Sequence, residues 1–245
     1  MTKPKNKFCI ITTQRSGSAW LVSLLNSHPQ IKTFYEIFLD RWAGDEHLTS
    51  FQNYDKSHFG VRPEITWRYL QQLETYPGEH DTIGFKIMYN QLGRHPEVLG
   101  KFARDGYKLI HLVRENHLDL LVSSASMEQN GLIHSKKEVN ANAVVIDTES
   151  LRKVLATQAA YLGFMRKMLK VLPNPVMEIT YSDLAQNNSE TLQQIIDFLG
   201  VPLGKHRFES DRKKINRGTY QEKIANYEAV AQTLAGTRYE RFLYS

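Results

Sequence analysis

Short apolar runs alternate with stretches of helical periodicity along most of the chain, and this alternation restricts its fold more than any other feature. Phe8 to Thr12, Ile31 to Tyr35, Thr82 to Tyr89, Tyr107 to Val113 and Val176 to Thr180 read as strands. Between the first two, Trp20, Leu21, Leu24 and Leu25 recur at helical spacing until Asn26-Ser27-His28-Pro29. Pro63 to Glu74 reads as a helix with proline in its first turn. Further helices are expected from about His117 to Glu128 and from Glu149 to Leu172, where Pro173 ends the pattern. Ser189-Glu190 opens a helix over Thr191 to Leu199, which Gly200 and Pro202 stop. Thr219 and Glu222 have capping-box spacing for a last helix running to about Leu234. A strand followed by a helix, repeated, predicts an α/β fold with a central parallel sheet and helices on both faces. There is no internal repeat and no linker-like tract, so a single domain over residues 1–245 is expected.

Composition narrows the function classes. Lysine and arginine number 31 against 26 aspartates and glutamates, a net charge of +5. Over this length that excess is too small to argue for nucleic-acid or membrane-surface binding, although it suits a site for a small polyanion. Nothing approaches the roughly 18 consecutive apolar residues of a membrane span. The basic start, Met1 to Lys7, has no apolar stretch of the secretory kind after it. A cytoplasmic protein is the expectation. The single cysteine, Cys9, can form no intrachain disulfide, and no Cys/His spacing indicates a metal site. Two segments without clear periodicity, Glu36 to Arg62 and Asn130 to Asp147, have the length of binding walls or lids.

The first strand enters Thr13-Gln14-Arg15-Ser16-Gly17-Ser18-Ala19-Trp20, a loop of small and hydroxyl residues that leads into a helix. That geometry turns backbone N–H groups into one concavity at the positive end of a helix dipole, with Arg15 adding a fixed charge. It suits a phosphate or phosphosulfate group. The G-x-x-x-x-G-K-[ST] pattern of ATP-binding loops is absent. A plain strand-to-helix turn capped by Ser16 or Ser18 is the competing reading. Farther on, the strand Tyr107 to Val113 ends at Arg114, where open α/β sheets bind ligands, and Ser123 falls on the following helix.

Together these two segments resemble the sulfotransferases that use 3′-phosphoadenosine 5′-phosphosulfate (PAPS), whose nucleotide-binding fold is P-loop-like. Gln14 to Leu21 is similar to their 5′-phosphosulfate loop, usually R-S-G-[ST]-[ST]-x-L, with Ala19 in place of a hydroxyl residue. Leu112-Val113-Arg114-Glu115-Asn116 with Ser123 is similar to their 3′-phosphate motif. Leu24-Leu25-Asn26-Ser27-His28-Pro29 resembles a stretch of the carbohydrate and bacterial branch. Met177 to Leu184, Phe198 to Val201 and Ile224 to Glu228 resemble further family segments, in the family's order.

The resemblance implies PAPS as co-substrate, no metal, and a small-molecule or carbohydrate acceptor. It implies that Arg15, Ser16, Gly17, Ser18, Ala19 and Trp20 cradle the 5′-phosphosulfate and that Arg114 and Ser123 grip the 3′-phosphate. Lys214 and Arg217, from the cluster Arg212 to Gly218, are expected on the 3′-phosphate and adenine. Sulfuryl transfer, like loose phosphoryl transfer, asks mainly for positioning and charge stabilisation. The resemblance places Arg15 at the leaving oxygen and Glu36 at the acceptor as general base. An ion-paired structural carboxylate is the other reading of Glu36, and His28, His111 and His117 are further candidate bases. Lys86 lies in an apolar strand and must reach water, a carboxylate or a ligand. It is either a second cation for the sulfuryl group or an edge-strand lysine that discourages aggregation. Trp42, Tyr54, Phe59 and Trp67 are candidates for an acceptor wall. A P-loop-like small-molecule kinase and a non-catalytic nucleotide-binding protein of the same fold are the alternatives.

Overall fold

A computed structural model describes residues 6–39, 48–55, 60–130, 143–202, 207–210 and 218–244. In chain order these residues form β1 (Asn6–Thr12), α1 (Ser18–Asn26), β2 (Ile31–Glu36), α2 (Phe51–Tyr54), α3 (Pro63–Glu74), β3 (Thr82–Met88), α4 (Tyr89–Arg94), α5 (Glu97–Asp105) and β4 (Lys108–Val113). Then follow α6 (His117–Asn130), α7 (Thr148–Lys170), β5 (Val176–Thr180), α8 (Tyr181–Gln186), α9 (Asn188–Leu199), α10 (Tyr220–Lys223), α11 (Tyr227–Leu234) and a 3₁₀ turn (Glu240–Leu243). They divide into two compact units, one within Met1–Val113 and Leu169–Ser210, the other within Arg114–Met168 and Asp211–Ser245.

The first unit holds the sheet. All of its pairings are parallel, in the order β2-β3-β1-β4-β5, as the strand-helix alternation requires. One face packs on α1, α8 and α9 through Phe8, Ile10, Leu21, Leu25, Ile110, Ile179, Leu192 and Ile196. The other carries a chain of aromatic contacts in which Phe85 meets Phe102 and Tyr107, and Phe38 meets Phe51 and Tyr69. Gly84 is needed on β3 because the Phe8 ring lies over it; a Cβ there would sit 2.5 Å from Phe8 Cε1. Central β1 and β3 are apolar on both faces, hence their near-continuous hydrophobic runs.

The second unit is built from α6, the greater part of α7 and the chain's last turns. Leu118, Val122, Leu151, Leu155, Val230, Leu234 and Phe242 pack into one cluster. The expected last helix is interrupted. Thr219 does cap α10 with Glu222 in a capping box, but the helix ends at Lys223. There Ile224 leaves helical geometry to bridge Val144, with Val144 N–H on Lys223 O at 2.8 Å and Ala225 N–H on Val144 O at 2.8 Å. A long-range backbone pairing thus overrides a continuous local helix pattern. Val144 and Ile146, placed by sequence in an irregular segment, belong to this unit's core. Among the described residues, no helix is long and apolar enough to cross a membrane.

Candidate active site

The loop after β1 turns on two residues in the left-handed region. Arg15 (φ 61°) is the one non-glycine at positive φ among the described residues, and Gly17 follows at φ 86°. Holding a bulky residue in this region costs of order 1–3 kcal/mol and occurs where surrounding structure or function requires it. Alternation of right- and left-handed residues is the backbone pattern by which successive N–H groups can form a concavity for an oxyanion. Gly17 is required a second time by space, since a Cβ would lie 2.5 Å from Tyr181 Cδ2. Tyr181 also meets Trp20 edge-on, centroids 6.4 Å apart.

The serine-cap reading is corrected. The N-cap of α1 is Gly17, and no side chain caps the helix. Ser16 is fully buried, with its Oγ 2.6 Å from Thr12 Oγ1, which in turn lies 2.7 Å from Leu112 O. A carbonyl can only accept, so Thr12 donates to Leu112 and Ser16 donates to Thr12. The Ser16 hydroxyl proton is therefore directed at Thr12 and ties the loop to the sheet. Thr12 was missed in the sequence, where it reads only as the last residue of a strand.

Glu36, Lys86 and Ser18 come together. Lys86 Nζ lies 3.1 Å from Glu36 Oε1 and 3.4 Å from Ser18 Oγ, and 5.7 Å from the Tyr35 ring centroid. Lys86 is 4% exposed on a strand flanked on both sides, so the edge-strand reading is excluded. A register shift between Phe34 and Glu36 brings Glu36 opposite Lys86. Bulges of this kind re-aim a side chain next to functional sites. The other Glu36 oxygen accepts from Gln91 Nε2 at 3.3 Å, and Gln91 Oε1 is held by the Met88 N–H at 2.9 Å. Glu36 is thus the ion-paired carboxylate of the alternative reading as well as a neighbour of the loop. Gln91 had no sequence signal, because its role depends on how β3 ends and α4 begins.

The histidines sort differently. His111 is buried, with Nδ1 2.9 Å from Glu178 Oε2 and Nε2 2.5 Å from Tyr89 Oη. The carboxylate takes the Nδ1 proton, so Nε2 accepts from Tyr89, the satisfied core histidine expected of a buried strand. His28 lies buried against Phe208 at the far end of α1, its Nδ1 accepting from the Gln30 N–H at 3.3 Å. In the second unit His117 packs edge-on against Phe242. Burial, then Arg166 and Arg241, push its imidazole below the ordinary histidine value.

Arg114 opens the second unit directly after β4. Its Nε and Nη2 donate to Asp119 Oδ2 at 3.3 and 2.9 Å. Ser123 lies on α6 and is 7% exposed. Lys214 and Arg217 lie outside the described residues, as do Trp42 and Phe59. The other two aromatic candidates have structural partners. Tyr54 packs on Tyr69, and the Trp67 indole donates to Glu97 O at 2.8 Å while Arg104 covers its face at 4.4 Å. No group of three or more His, Cys, Asp or Glu among the described residues could hold a metal ion.

A parallel α/β unit whose first strand runs through a short loop into a helix is a common setting for binding phosphate-like groups. The family profile described as a sulfotransferase domain matches residues 5–244, and the chain belongs to that family. Nodulation protein H of Rhizobium tropici is 26% identical over 243 residues, covering 96% of this chain and 92% of that protein. The sulfotransferase domain from the curacin biosynthetic pathway superposes with a TM-score of 0.50 at 15% identity, covering 94% of this chain and 91% of that one, a likeness of fold. The protein is a sulfotransferase enzyme, and PAPS is the sulfuryl donor of its family. The kinase alternative is thereby set aside.

Proposed function

We propose that this sulfotransferase transfers the sulfuryl group to a carbohydrate hydroxyl, with Glu36 as general base and with Arg15 and Lys86 as the cations at the reacting group. The observation that carries this reading is the cluster of Glu36, Lys86 and Ser18, which joins a candidate base to a residue of the phosphosulfate loop. In the reaction the acceptor oxygen forms a bond to sulfur while the bond from sulfur to the bridging phosphate oxygen breaks. The acceptor proton passes to Glu36. Charge developing on the departing adenosine 3′,5′-bisphosphate is met by Arg15, and Lys86 offsets charge on the sulfuryl oxygens. An acceptor hydroxyl turns acidic only as its oxygen bonds to sulfur, so its proton leaves late in the step.

Backbone N–H groups of Ser16, Gly17, Ser18, Ala19 and Trp20 hold the 5′-phosphosulfate in this reading. Arg114 and Ser123 hold the 3′-phosphate, with Lys214 and Arg217 as further contacts to that phosphate and the adenine. The carbohydrate acceptor rests on the resemblance of Leu24 to Pro29 to the carbohydrate branch. The single thiol, buried on β1, suits a reducing cytoplasm.

The test is transfer of labelled sulfate from PAPS across sugars, glycolipids, phenols and peptides. Transfer to sugars or glycolipids is expected, and phenols alone as acceptors would overturn the carbohydrate reading. Glu36→Gln is expected to keep adenosine 3′,5′-bisphosphate binding while lowering turnover by about 10²-fold or more, as loss of a positioned base does. Full turnover in that variant would move the base elsewhere.

A further inference from the structure

Around Arg114 the second unit holds a closed ring of side-chain hydrogen bonds that neither the loop nor the Glu36 cluster uses. Asp119 accepts from Arg114 Nε and Nη2 through Oδ2, at 3.3 and 2.9 Å. Its other oxygen, Oδ1, accepts from the Tyr220 hydroxyl at 2.8 Å. Tyr220 Oη in turn accepts from Asn116 Nδ2 at 2.9 Å, and the same amide donates to Phe242 O at 2.9 Å. Asn116 Oδ1 completes the ring by accepting from the backbone N–H groups of Leu118 and Asp119, at 3.0 and 3.3 Å, which fixes the start of α6.

Tyr220 is 8% exposed and comes from α10, about a hundred residues away along the chain. Burial, then the Asp119 carboxylate, push its phenol far above the ordinary tyrosine value, so it remains a donor at any physiological pH. The Tyr220 hydroxyl holds one oxygen of the Asp119 carboxylate, and the other oxygen holds two nitrogens of one guanidinium. An arginine held through a two-point contact has lost most of its rotamer freedom before a ligand arrives, and preorganisation of that kind shows as affinity.

We propose that Asp119 and Tyr220 are positioning residues that fix the Arg114 guanidinium for the 3′-phosphate of the donor, and so set the preference for a 3′-phosphorylated nucleotide. This rests on the reading that Arg114 contacts the 3′-phosphate.

Calorimetric titration with adenosine 3′,5′-bisphosphate and with adenosine 5′-phosphate tests this, in the wild type, Tyr220→Phe, Arg114→Ala and the double variant. Tyr220→Phe keeps the ring that packs in the core and removes only the hydroxyl. It is expected to weaken the bisphosphate about tenfold and to leave the monophosphate within about twofold, as loss of one hydrogen bond to a charged group does. In the Arg114→Ala background the same change is expected to alter neither affinity further, which a merely structural role would not give. If Arg114→Ala abolishes the preference while Tyr220→Phe leaves it intact or strengthens it, the positioning role is wrong and the reading of Arg114 stands. If Tyr220→Phe weakens both nucleotides equally, the hydroxyl serves the fold alone. If Arg114→Ala leaves the preference intact, the reading of Arg114 fails and this inference with it.

Discussion

Two lysines lie buried in the sheet-bearing unit, at opposite ends of the strands. Lys101, on α5, stands with Lys7 near the amino end of β1, where both meet Glu74 and Asp105. Lys86, toward the carboxyl end of β3, meets one carboxylate, Glu36, and one loop hydroxyl, Ser18. The first cluster balances two ammonium groups against two carboxylates, with Arg104 bonded to the outer side of Asp105 at 2.8 Å. Its charges answer one another within the fold. Beside Lys86 stand the Tyr35 ring and a neutral hydroxyl, Ser18, from the end of the loop after β1. A buried charge persists only when paired. A cluster that closes on itself reads as a clasp, and the one that reaches the loop after β1 is where we propose the reaction takes place.

This contrast can be broken experimentally, most sharply at Lys86. Lys86→Met is expected to lower sulfuryl transfer by about 10²–10³-fold, the usual loss for a group that stabilises transition-state charge. Its melting temperature should fall less than that of Lys101→Met. For Lys101→Met the pattern reverses. Removing one member of a buried charge cluster costs about 3–5 kcal/mol, read by denaturant unfolding, while turnover per folded molecule should stay near wild type. Equal effects of the two variants on turnover would erase the distinction.

Gln91→Leu sharpens it on a smaller scale. It removes one of two donors to Glu36 and leaves Lys86 in place, so turnover should fall about tenfold with bisphosphate affinity unchanged. The smallest effect is on acid stability. Burial alone would raise the Asp105 carboxyl, but hydrogen bonds from Arg104 and Lys101 outweigh it and hold the group well below the ordinary carboxylate range. A depressed folded value means that the unfolded chain binds the proton more readily. This stabilisation is complete above the unfolded carboxylate value and is lost as pH falls below it. Thermal unfolding from pH 6 down to pH 2 should show wild type losing stability across the acid range, with a shallower loss in Asp105→Asn.

How much of this was legible in the residues depends on how local each feature is. The strand, loop and helix of residues 8 to 26 could be read directly, because their signals all lie in one contiguous stretch of the chain. The end of α9 at Gly200 could be read for the same reason, since a left-handed glycine stops a helix locally. The interruption after Lys223 could not, because it depends on Val144 arriving from about eighty residues away. Nor could Trp67 be told from an acceptor-wall residue, since its partners Glu97 and Arg104 come from another helix.

The sequence by itself determined the parallel α/β class, the position of the strand-to-helix loop that carries Arg15 and Gly17, and the family to which the chain belongs. Each rests on periodicity, backbone sterics or a contiguous motif, all carried by neighbours in the chain. Only the tertiary structure decided that β3 is interior, that a bulge sets Glu36 opposite Lys86, and that Asp119 and Tyr220 hold Arg114. Strand order, register and side-chain pairing are properties of packing between distant segments, and a one-residue change of register would have sent Glu36 to the other face of the sheet.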